Sequence, residues 1–107
     1  MGRPVAVAVP VGELDIGSVA EVDRIFQGVE PQEHMIIDLR QVSFVDSVTL
    51  SRFVRVARRH EAAGSRVVLA AATGPVRRVL AITQLDTVLP YADDMDQARE
   101  LIRSLDD

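Results

Sequence analysis

The chain has 107 residues, 48% of them hydrophobic and 26% charged, with a formal net charge of −4 and no cysteine. That length holds one hydrophobic core and not two, and the composition is that of a globular chain and not a disordered one. The missing cysteines exclude disulfides, thiolate metal sites and a cysteine nucleophile, and the acidic balance disfavours nonspecific nucleic-acid binding.

Aromatic residues make up 4% and tryptophan is absent, so the core is expected to be built from Val, Leu, Ile and Ala. No apolar run approaches the roughly 20 residues that a membrane helix needs. Met1-Gly2-Arg3-Pro4 leads straight into a valine-rich stretch and not into a secretory leader. The expectation is a soluble, cytoplasmic domain over residues 1–107, with no membrane insertion.

Val5, Val7, Val9 and Val11 alternate with Ala6, Ala8 and Pro10, the period of a strand, with Pro10 at a bend or edge. Gly12 to Asp15 leads towards a helix over Ala20–Phe26, whose Val19, Val22 and Phe26 share a face. Met35–Leu39 is an apolar run of strand length, suited to a central strand covered on both faces. Arg40–Val45 reads as a loop anchored by Val42 and Phe44. The strongest helix opens at Asp46-Ser47, with Leu50, Phe53, Val54, Ala57 and Glu61 at helical spacing, Asp46 as N-cap and Gly64 as terminator.

Arg66–Ala70 reads as a further strand, and Pro75 suits the first turn of a helix through Val76, Val79 and Leu80. Leu85–Leu89 reads as a short last strand stopped by Pro90. Asp93–Leu105 closes the chain as a helix, acidic in its first turn and carrying Arg103 near its end. Alternating strands and helices imply an α/β fold with a mixed or mainly parallel sheet.

Motifs for dinucleotides, P-loop phosphates, zinc hydrolysis or a nucleophile elbow are absent. A Ser/His/Asp triad from Ser47, His60 and Asp46 fails, because Ser47 and His60 stand at opposite ends of one helix, roughly 20 Å apart. His34 and His60 read as structural or surface residues, and no enzyme activity is expected. Asp15 and Asp46 each stand in the connection that follows a strand. They could flank a Mg²⁺ ion, but helix capping is the favoured reading. Ser47 is the sharpest feature: a hydroxyl at a helix start, where free amides and the dipole would stabilise a phosphate. Arg52, Arg55 and Arg59 form a basic stripe along the same helix, either a solvated face or a docking surface.

Val11–Ile16, Met35–Leu39, Val42–Ser47 and Leu50, with Gly64–Leu69 and Val76–Leu80, resemble the STAS domain of bacterial anti-sigma factor antagonists. The resemblance implies a sheet of about four to five strands with about four helices packed largely on one side. It also implies binding to an anti-sigma factor that is itself a serine kinase of the GHKL type. That kinase would phosphorylate Ser47, and a PP2C-type phosphatase would reset it. Nucleotide and Mg²⁺ would belong to the kinase, leaving this chain without a cofactor. Asp15, Asp46, Ser47, Thr49, Ser51, Arg52 and Arg55 form the expected partner surface. The family usually reads D-S-S/T-G-L-G here, so Thr49 stands in place of a Gly and is a second candidate phosphoacceptor. Thr83-Gln84-Leu85 likewise stands where a Ser/Thr-Gly-Leu turn is common. The alternative reading is an unphosphorylated STAS module of a transporter or larger signalling assembly.

Overall fold

A computed structural model describes residues 2–106. Its strands are β1 (Val5–Ala8), β2 (Gly12–Leu14), β3 (His34–Asp38), β4 (Val42–Val45), β5 (Val67–Ala70) and β6 (Tyr91–Ala92). Its helices are α1 (Val19–Gln27), α2 (Ser47–Ala62), α3 (Gly74–Ile82), α4 (Leu85–Val88) and α5 (Met95–Asp106), with a single 3₁₀ turn at Ile16–Ser18. One sheet runs β1-β3-β5-β6 and a second pairs β2 with β4, all in parallel.

Side chains of β3 and β5 alternate between two cores, as strand geometry requires. Met35, Ile37, Val67 and Leu69 face a large core filled by α1, α2, α3 and α4. Ile36, Val68 and Ala70 face a smaller one closed by α5 through Ala98 and Ile102. All five residues of β3 are buried, the double coverage its apolar run implied. Burying each large apolar side chain contributes about 1.5–3 kcal/mol, so β3 and the equally buried β5 anchor the sheet. Phe26 of α1 meets Phe53 of α2 edge-on, with ring centres 5.8 Å apart, which fixes the pair over the sheet.

Three expectations are corrected. The valine run is not one strand: β1 ends at Ala8, and β2 begins at Gly12, whose φ of +92° suits glycine. The stretch expected as a loop before Asp46 contains β4, paired to β2, with Val42 and Val45 buried. Leu85–Leu89 holds the helix α4 and not a strand. Leu85 and Leu89 are buried while Thr87, which a strand would place on the same face as both, is exposed, so the pattern suits a helix and not a strand. Pairing at this edge passes to β6 instead.

The chain enters α4 through Gln84 at φ +60°, a left-handed conformation for a non-glycine residue. Arg77 of α3 holds the turn, its guanidinium 2.8 Å from Asp86 and 4.3 Å above the Tyr91 ring. Tyr91 in turn accepts the Ala72 amide at 3.1 Å. α2 ends in a Schellman motif around Gly64 (φ +88°), with Ser65 N–H donating to His60 O and Gly64 N–H to Glu61 O.

Both histidines are buried, which resolves the surface-or-structural choice towards structure. His60 donates from Nδ1 to Glu33 O at 2.8 Å, so its Nε2 is left bare in the core. Burial therefore holds its pKa below the ordinary value. Two outcomes follow. Gln84→Gly should raise stability by about 0.5–1 kcal/mol in urea unfolding, by relieving the left-handed strain. As pH falls below about 6.5, the unfolded chain takes up a proton that folded His60 refuses, so stability is full above that pH and declines below it. The loss in melting temperature between pH 7.5 and 5 should be larger in the wild type than in His60→Asn.

Candidate functional site

β2 and β4 lie side by side and end together, at Leu14 and Val45, and each chain then turns into helix. After β2, Asp15 caps the 3₁₀ turn, its Oδ1 accepting Gly17 N–H at 2.9 Å, while Ser18 Oγ donates to Glu13 O at 2.9 Å. After β4, Asp46 caps α2, its Oδ1 accepting Thr49 N–H at 2.9 Å. That amide, with help from Thr49's side chain and the Ile16 and Val48 amides, holds the Asp46 carboxyl below the usual range. Both carboxylates are thus occupied by backbone amides, the capping role favoured from sequence. Among the described residues no cluster of three or more metal-ligating side chains occurs.

The two turns are joined at one atom. Leu14 O accepts both Asp46 N–H at 3.1 Å and the Thr49 hydroxyl at 3.0 Å. Thr49 has no exposed surface. As a phosphoacceptor or a partner contact it is therefore out of reach, and it supports the surface from beneath. The Thr49 side chain is an internal clasp.

Ser47 points the other way. It is the first residue of α2, it is exposed, and its hydroxyl makes no hydrogen bond among the described residues. Ser51 is exposed one turn later, its hydroxyl donating to Val48 O at 2.6 Å. Arg52 is half-buried and 3.6 Å from Asp23 of α1, whereas Arg55 is exposed. Arg52, Arg55 and Arg59 line a groove of about 120 Å³ between α1 and α2, with Phe26 and Val56 at its base. The inward stripe of α2 is Leu50, Phe53, Val56, Ala57 and His60, shifted from the expected one: Glu61 is exposed and Val54 half-buried.

Sequence reading missed Ile16. It is 76% exposed at the start of the 3₁₀ turn, with its amide directed at Asp46, and it adds an apolar knob beside that cap. The only signal was an apolar residue inside a turn of otherwise polar and small residues.

Residues 3–98 match the STAS domain family, and the chain belongs to it. Its fold is shared with a candidate anti-sigma factor antagonist from Thermotoga maritima (TM-score 0.79, 23% identity, over 91% of this chain and 87% of that one). It is shared also with a sulfate transporter family protein from Wolinella succinogenes (0.77, 16%, 98% and 91%). The STAS domain of a SulP transporter from Vibrio cholerae is similar too (0.70, 16%, 92% and 80%). No curated protein matches the chain in sequence.

Thr49→Val should cost about 1 kcal/mol in urea unfolding, because the hydroxyl's bond is lost while Leu14 O keeps the Asp46 amide. Asp46→Ala should lower the unfolding midpoint more than Asp46→Asn, which retains a capping oxygen. Ser47→Ala should leave it unchanged.

Proposed function

We propose that this STAS domain is an anti-sigma factor antagonist: it binds an anti-sigma factor of the GHKL serine-kinase type and is switched by phosphorylation of Ser47. The observation that carries the reading is a free, exposed hydroxyl on the first residue of α2, directly after the Asp46 cap. The F-V-D-S sequence of a STAS domain stands at that same point. A phosphate there would add about −1.5 to −2 charges at pH 7 and would face the free end of the helix, so the fold can tolerate it. A partner seated over Asp15, Ile16, Asp46, Ser47, Ser51, Arg52 and Arg55 would meet that charge and bulk directly. A PP2C-type phosphatase would restore binding. ATP and Mg²⁺ are the kinase's, and this chain performs no catalysis of its own.

A candidate cognate kinase with ATP should add one phosphate, located on Ser47 by peptide mass spectrometry and absent from Ser47→Ala. Ser47→Asp should weaken binding to that kinase by tenfold or more, a change of about 1.4 kcal/mol, with Ser47→Ala close to wild type. Phosphate on another residue, or equal binding by the Ala and Asp variants, would reject the switch. The latter result would favour a constitutive module, as the likeness to transporter STAS domains allows.

A further inference from the structure

At the end of the sheet away from Ser47, where β1 and β3 begin and α5 ends, lies a cavity of about 410 Å³. That size is within the range of small-molecule pockets. Its walls include Val5 and Ile102, and its rim carries Arg99 and Arg103. His34 forms part of its inner wall and is 1% exposed. Arg66 N–H donates to His34 Nδ1 at 2.9 Å, which places the ring hydrogen on Nε2. That Nε2 makes no well-formed hydrogen bond, although Asp106 Oδ1 stands 3.1 Å away. The other Asp106 oxygen accepts the Arg3 backbone N–H at 3.3 Å.

Two donors, one of them buried and incompletely used, thus converge on a carboxylate carried by the last turn of α5. Arg103 is 2.8 Å from Glu100, and Arg99 has no ion pair among the described residues. From this geometry we infer that the cavity is a binding site for the oxyanion group of a small ligand, carboxylate or phosphate. The ligand's oxygens would take the place at His34 Nε2–H and Arg3 N–H now held by Asp106. Arg99 and Arg103 supply the opposing charge, and the apolar wall of Val5 and Ile102 accepts a short hydrocarbon body. Asp106 acts as the built-in competitor that an outside anion displaces. The site is independent of Ser47. α2 separates them: its far end, at His60, touches Glu33, the residue before His34, and Ser47 lies about 20 Å back along the helix.

The test is a titration of the whole chain followed by ¹H–¹⁵N NMR at constant ionic strength, with inorganic phosphate in one arm and butyrate in the other. The expected result is saturable shifts at Val5, at the His34 ring and at Ile102, with a midpoint at or below about 10 mM. The amides of residues 47–50 should stay unmoved. The arm with the lower midpoint identifies the head group. Arg99→Gln should raise the midpoint at least threefold, and Asp106→Asn, which removes the competing charge, should lower it by a similar factor. Both are surface or half-buried positions and leave the core intact. Shifts that sodium chloride reproduces, that never saturate, or that both variants leave within twofold of wild type would overturn the assignment.

Discussion

Two hydrogen bonds to a single carbonyl, that of Leu14, decide where α2 begins. One comes from the Asp46 amide, continuing the β2–β4 ladder by one step, and the other from the buried Thr49 hydroxyl a turn into the helix. Together with the Asp46 cap they set the point at which the helix leaves the strand. Thr49 turns inward and Ser47 outward, two residues apart on the first turn. The buried Thr49 thus supports from beneath the surface on which the candidate phosphoacceptor is exposed. The far end of α2 is tied as firmly, by the Gly64 turn and by His60 reaching Glu33.

Much of this fold can be read from apolar spacing. Met35–Leu39 and Val67–Ala70 carry so little charge that only strands covered on both faces suit them, and they are the two central strands. α5 follows from Met95, Ala98, Leu101, Ile102 and Leu105, with charges of the right sign at its ends. The short elements β4, α4 and β6 were lost. β6 has too few residues to show a pattern, and β4 alternates too weakly and is made a strand by its pairing with β2, a contact about thirty residues away in sequence. α4 was misread because Leu85-Asp86-Thr87-Val88-Leu89 is rich in β-branched and aliphatic residues. Packing overrides that composition after the left-handed turn at Gln84: Thr87 is left exposed between the buried Leu85 and Leu89, as a helix allows and a strand does not.

Within the site, Asp15, Asp46 and Ser47 were legible because capping and helix-start chemistry are local. Thr49 was not. Its role depends on a carbonyl thirty-five residues earlier, and nothing in the sequence places Leu14 O above the first turn of α2. The histidines illustrate the same limit. Each is fixed by backbone groups that converge only after the sheet has formed: Glu33 O for His60, and the Arg66 amide for His34.

The doubly tied α2 has a consequence for how information could be written on this molecule. On a helix anchored at both ends, a covalent mark would be an address on the surface and not a change of shape. The mark would then be read at the speed of an encounter, with no folding step to wait for, and erased without residue once the ester is hydrolysed. A domain marked in that way would have no memory beyond the mark itself, so the duration of a signal would be set by the enzymes that add and remove it.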